Sequence, residues 1–106
     1  MYVTVHNYEI GGGATQVDVA RTAQDFLETV SAIPGFRGYY MIDGGDHRIA
    51  SVSIFDTPEG VEQCDELAVE FVQEKLGGFR LSEVETTEGK VLASLLPGPR
   101  NGHVEP

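Results

Sequence analysis

The apolar positions recur with two different periods along the chain, and each change of period marks an element. Over residues 2–10, Val3 and Val5 alternate with Thr4, His6 and Tyr8, the period of two expected of a strand with unlike faces. Gly11-Gly12-Gly13 interrupts it, and Thr15 followed three positions later by Asp18 predicts a capped helix start. Val19, Ala23, Phe26, Leu27, Val30 and Ile33 then form one helical stripe, which Pro34-Gly35 ends. Residues 36–43 and 48–55 read as two strands joined through the turn composition Gly44-Gly45-Asp46-His47. With an even number of residues in that loop, Tyr39 and Met41 are expected beside Ala50 and Val52, and Tyr40 and Ile42 beside Ile49, Ser51 and Ser53.

Asp56-Thr57-Pro58-Glu59 is the strongest helix start: Asp56 or Thr57 caps, Pro58 fits the first turn, and Glu59 favours the positive end of the dipole. Val61, Cys64, Leu67, Ala68, Phe71, Val72 and Leu76 supply its buried stripe, and Gly77-Gly78 its stop. The last element, residues 83–96, carries Val91, Leu92, Ala93, Leu95 and Leu96 on both parities, as in a strand covered on both sides. The remainder, PGPRNGHVEP, has little to bury, so the expectation is one domain over residues 1–96 and a flexible tail over 97–106, disordered or laid on a partner.

The order βαββαβ predicts an α+β, ferredoxin-like fold, a four-stranded antiparallel sheet with two helices on one face. The other face is expected to hold Thr4, His6, Tyr8, Tyr40, Ile42, Ile49, Ser51, Ser53 and Phe55. That set is too apolar to stay wet, and covering it with a second copy gives a homodimer enclosing a partly polar hollow.

Composition narrows the choice. The chain has 106 residues with 41% hydrophobic and 23% charged, an ordinary globular balance for one core. A net charge of −10 and seven scattered basic residues exclude a phosphate-binding face, so neither nucleic acid nor an anionic membrane is an expected partner. Glu59, Glu62, Asp65, Glu66, Glu70 and Glu74 read as a solvated helix face. One cysteine, a start without the pattern of a leader and no long apolar run make a cytoplasmic protein the expectation.

Three features together carry a family resemblance: the order of elements, Ile33-Pro34-Gly35-Phe36 followed by Gly38-Tyr39-Tyr40, and Ser51-Val52-Ser53-Ile54-Phe55-Asp56-Thr57-Pro58-Glu59 leading into the second helix. Over residues 2–96 the chain resembles the antibiotic-biosynthesis-monooxygenase-like domains of the dimeric α/β-barrel superfamily. The resemblance implies a fold and a dimer more than a chemistry, since its members include small oxygenases without metal or flavin, haem-degrading enzymes and proteins without known activity. The haem-degrading branch uses an Asn on the first strand, a Trp near the end of the third and a His on the second helix. Asn7 answers the first, Phe55 replaces the second, and the second helix has no His, so the resemblance does not extend to haem degradation. The cofactor-free oxygenases commonly use Asn, Trp, Tyr or His around the cavity, and this chain has no Trp.

Among the chain's own residues His6 is the candidate catalytic group, because imidazole exchanges a proton near neutral pH without special tuning. It would deprotonate a phenol or hydroquinone whose anion reduces oxygen directly, while Tyr8 and Tyr40 orient the ring and Ser51, Ser53 and Phe55 line the ligand site. The alternative is a hydrogen-bonded histidine in a dimer interface, with the sheet face serving only assembly. No cofactor and no metal is expected: Asp43, Asp46 and His47 lack ligand spacing, Gly11-Gly12-Gly13 is no dinucleotide fingerprint, and Thr87-Glu88-Gly89-Lys90 has Val84 where a phosphate loop needs its first glycine. Cys64, on an apolar stripe, is expected to be inert, and Arg37 and Arg48 are read as surface charges.

Overall fold

The computed structural model describes residues 1–95 and 102–104. The elements run β1 (Tyr2–Glu9), α1 (Gln16–Thr22), α2 (Gln24–Ser31), β2 (Phe36–Gly45), β3 (Arg48–Phe55), α3 (Pro58–Lys75), a 3-10 turn (Gly77–Phe79) and β4 (Ser82–Lys90). A short pair, β5 (Ala93–Leu95) and β6 (Gly102–Val104), follows. The main sheet is antiparallel throughout in the order β2-β3-β1-β4, the ferredoxin-like arrangement, with the helices on one side of it.

Local chemistry explains the boundaries. Thr15 and Asp18 form the reciprocal capping box, each side chain bonding the other's backbone N–H. The single helix expected over the following stripe is broken at Ala23 into α1 and α2, although Val19, Phe26 and Val30 still share its buried face. Nothing in the sequence marks that break. Thr57 caps α3 by accepting the Gly60 N–H, with Pro58 in the first turn, while Asp56 turns away to Arg37 at 2.9 Å.

The core is divided in two. Phe26, Val30, Ile33, Phe55, Val61 and Cys64 make one cluster, and Ile10, Val19, Ile49 and Leu76 the other, with Phe71 packed against both. These residues come from the helices and from one sheet face, so that face is the inner one.

The β1 and β3 residues expected on the helix-free face lie on the opposite one, whereas Tyr40 and Ile42 lie on the face expected. Opposed residues of an antiparallel pair point the same way. Thr4 opposite Ser53, His6 opposite Ser51, and Tyr8 opposite Ile49 therefore share a face with Phe55, which has no exposed surface. They point at the helices. Val3, Val5, Tyr40, Ile42, Val52 and Ile54 form the helix-free side. The pairing of β2 with β3 also differs: Tyr39 opposes Ser53, Met41 opposes Ser51, and Tyr40 opposes Val52. A two-residue turn at Asp46-His47, both at positive φ, closes the hairpin, and the register shift between Asp43 and Gly45 leaves Gly44 as an extra residue. That bulge inverts the parity expected from an even loop.

The C-terminal strand is also relocated. β4 is the exposed, polar run Ser82–Lys90, whereas Leu92 and Leu95, expected to be covered on both sides, are 69% and 73% exposed. β1 sets this limit: Tyr2 opposes Lys90, and the Val91 N–H reaches the Met1 carbonyl, so the chain beyond lies past the end of β1 in the main sheet. Within the expected tail, Gly102–Val104 pairs with Ala93–Leu95, while Leu96, the end of the expected strand, and residues 97–101, 105 and 106 lie outside the described residues. Among the described residues no helix is long and apolar enough to cross a membrane.

Candidate functional site

β1 lays Thr4, His6 and Tyr8 under the helices, and α3 lowers Asp65 onto them. His6 Nε2 lies 2.8 Å from Asp65 Oδ1 and 3.0 Å from Thr4 Oγ1, and Nδ1 lies 2.9 Å from Glu83 Oε1 on β4. Thr86 donates its hydroxyl to the same Glu83 oxygen, and Thr4 donates to Glu88 Oε1 at 3.1 Å. The imidazole, 12% exposed, is thus bracketed by two carboxylates. Burial pulls its pKa down, but the hydrogen bonds to Asp65 and Glu83 prevail and hold it above the ordinary 6.5. Glu83 is held below the usual carboxylate range, chiefly by the Thr86 hydroxyl. Glu88 is pushed up, chiefly by a carboxyl-to-carboxyl hydrogen bond with Asp65.

Beside this network, between the two core clusters, runs an apolar slot. Tyr8, Tyr39 and Ser51 are its polar lining, with Phe26, Met41 and Phe71 among its apolar walls. His6 stacks behind Tyr8, ring centroids 6.2 Å apart and planes 17° from parallel. Ser51 hydrogen-bonds Tyr39, yet burial still pushes the Tyr39 phenol up to about 12, and burial raises Tyr8 too, so both stay protonated donors at neutral pH. The slot is narrow, about 40 Å³, room for roughly three waters. On its outer side Tyr39 and Met41 also border a groove of about 220 Å³ against Ala20, Gln24 and Leu27. Ala23, Tyr39 and Met41 thus line both the inner slot and the outer groove. Met41, flexible and polarisable, makes a soft partition.

The residues singled out in the sequence are only partly brought together. His6, Tyr8 and Ser51 share the inner face, but only Tyr8 and Ser51 line the slot, with His6 reached through the Tyr8 ring. Ser53 is on that face but sealed, 2% exposed and hydrogen-bonded to the Cys64 thiol, and burial pushes that thiol up. Phe55 belongs to the core, packed edge-on against Phe36 at 5.8 Å. Tyr40 is 62% exposed on the opposite side of the sheet and does not meet His6. Sequence reasoning missed Tyr39, Asp65, Glu83 and Glu88. A signal existed for Asp65: Val61, Cys64, Asp65 and Ala68 follow the spacing of an apolar helical face, so a carboxylate stands where a core residue is due.

No family model matches the sequence, and no curated protein matches it significantly. Solved structures do match. A dimeric ferredoxin-like protein from an uncultured marine organism superposes with a TM-score of 0.68 at 20% identity, covering 90% of this chain and 97% of that one. A monooxygenase from the ActVA-Orf6 gene of Streptomyces coelicolor, in complex with nanaomycin D, gives 0.70 at 16% identity and covers 92% of each chain. A variant of MhuD with two manganese protoporphyrin IX molecules bound per active site gives 0.67 at 20% identity, with 93% and 100% covered. The chain has the fold of the antibiotic-biosynthesis monooxygenases. It also shares that fold with dimeric ferredoxin-like proteins, so the likeness fixes architecture and leaves chemistry to the residues. In this chain α3 has no His, and both ring nitrogens of His6 are held by carboxylates.

Proposed function

We propose that the chain binds a flat, largely apolar molecule with a phenolic edge in the slot beneath α2 and α3, and oxygenates it without metal or flavin, with His6 as the base. The observation that carries this reading is the composition of the slot: two tyrosines and a serine in an otherwise apolar lining, with an imidazole stacked on one of the tyrosine rings. Tyr8 and Tyr39, protonated at neutral pH as phenols ordinarily are and more firmly so through burial, are suited to donate to the oxygen atoms of such a ring. Entry requires Met41 and Tyr39 to swing aside and join the slot to the outer groove.

Deprotonation makes the ring electron-rich enough to reduce oxygen. In converting a phenol to a quinone, one oxygen atom enters the ring and the other leaves as water with the two displaced hydrogens; all four electrons come from the substrate. The fold shared with a monooxygenase bound to nanaomycin D supports the ligand class. A homodimer through Val3, Val5, Tyr40, Ile42, Val52 and Ile54 completes the reading, because this face is apolar and free of helices, with Tyr40 and Ile42 62% and 47% exposed. A cytoplasmic setting agrees with the one buried cysteine, Cys64.

One observation favours a second reading, in which the chain binds or assembles without turnover: Asp65 and Glu83 occupy both ring nitrogens of His6. Oxygen consumption with a panel of hydroquinones and anthrone-like phenols separates the two. The oxygenase reading expects consumption that drops at least about 100-fold in His6→Ala and disappears in Ala68→Phe, which fills the slot. Retained ligand binding with no consumption selects the second reading, and no binding by any member removes the slot from function.

A further inference from the structure

We propose that His6, Asp65 and Glu88 form a binding site for one divalent first-row transition-metal ion. One ligand atom from each, an imidazole nitrogen and two carboxylate oxygens, lies within 4.8 Å of the other two. Ligand atoms bonded at about 2.0–2.2 Å to one ion stand at most about 4.4 Å apart, so the three side chains close on an ion by drawing in slightly. Thr4 Oγ1, 3.0 Å from His6 Nε2 and 3.1 Å from Glu88, closes the base of the triangle.

A second observation lies outside the triangle. His6 Nδ1 faces Glu83, itself fixed by Thr86, so the far side of the ring is anchored to a carboxylate. Metal-bound imidazoles are oriented in this way: the carboxylate holds the proton on one nitrogen and turns the lone pair of the other toward the ion. Here that other nitrogen is Nε2, the one facing Asp65. A third observation concerns access. A cleft of about 530 Å³, with Tyr2, Glu62 and Lys90 among its walls, opens directly onto Asp65 and Glu88, giving an ion an entry path and its remaining positions room for water.

The donor set selects the ion. One imidazole with two carboxylates suits Zn²⁺, Mn²⁺ or Co²⁺, lacks the thiolates that favour Cu⁺, and has too few oxygens for Ca²⁺. Three protein ligands leave positions open for exchangeable ligands. The inference does not rest on the oxygenase reading. At Nε2 the two are alternatives, since a nitrogen bonded to an ion has no lone pair left to accept a proton.

The test uses the full chain, stripped with EDTA and dialysed. Titration with Zn²⁺ by calorimetry and with Co²⁺ by visible absorption is expected to show one ion per chain with micromolar affinity. Asp65→Asn and Glu88→Gln should each weaken it at least about tenfold, whereas Glu62→Gln, altering the same cleft outside the triangle, should leave it unchanged. Circular dichroism checks that the variants fold. Mn²⁺ broadening of the His6 ring protons before those of His47 and His103 reads the contact in the unaltered protein, so the proposal stays falsifiable if a variant unfolds. Affinity weaker than millimolar, wild-type affinity in both carboxamide variants, or broadening that begins at another histidine overturns it. Because these readouts contain no substrate, their failure is distinct from a failure of oxygen consumption.

Discussion

His6 on β1 and Asp65 on α3 are 59 positions apart in the chain and 2.8 Å apart in space. The contact joins the sheet to the helix layer through a titratable bond, and its sign determines a pH dependence. His6 has a folded pKa above its ordinary 6.5, so its pairing stabilises the fold fully below 6.5, and that contribution is lost as pH rises through the folded value. Urea denaturation from pH 6 upward should therefore show a midpoint that falls with pH, and His6→Gln should flatten the slope. A His6-dependent oxygenation would run the other way, rising over the same window as the neutral imidazole forms. Opposite slopes for stability and rate in one buffer series would identify one group as the source of both.

Gly60 is required by the ring of Phe55. A Cβ at this position would stand 2.8 Å from the Phe55 ring, which is fully buried in the core. Gly60→Ala is expected to cost about 1–3 kcal/mol through overpacking, even though alanine is the better helix former. Thermal unfolding measures it, and a stabilised Gly60→Ala would refute the close approach.

The two candidate caps of α3 separate cleanly. Thr57→Ala removes the acceptor of the Gly60 N–H and should cost about 1 kcal/mol. Asp56→Ala removes only a half-exposed ion pair with Arg37 and should cost no more than a few tenths of a kcal/mol. Chemical denaturation of the two variants ranks them, and equal losses would mean that Asp56 shares the capping.

The helix-free face gives the dimer its test. Tyr40→Asp and Ile42→Asp put a charge where the proposed partner packs, and light scattering should report monomers at micromolar concentration with the far-ultraviolet spectrum unchanged. A wild-type monomer, or dimers that survive both changes, would assign the pairing elsewhere.

The sequence discloses the elements better than the directions they face. The period-two pattern of 2–10, the Thr15 and Asp18 box and the Thr57-Pro58 start all correspond to what forms, because each depends on neighbours a few positions away. Which side of β1 turns inward depends on partners far along the chain. Val3 and Val5 are the more apolar side, yet Thr4 and Ser53 are buried, their hydroxyls satisfied by Glu88, His6 and Cys64. No local pattern contains those partners. The same holds for Val91, Leu92 and Leu95, whose hydrophobicity suggests a buried strand until the length of β1 leaves them beyond the sheet. Asp65 is the part of the site that local spacing does disclose.

Gly44 has an effect out of proportion to its size. By adding a single residue to one arm of the β2–β3 hairpin, it decides that Tyr39 and Met41, rather than Tyr40 and Ile42, look toward the helices. A shortened hairpin lacking that residue would roll the outer strand half a turn, installing a phenol and an isoleucine as the gate and handing the thioether to the outside. On the proposed reading, ligand preference and self-association would then change together, because one loop length governs both surfaces.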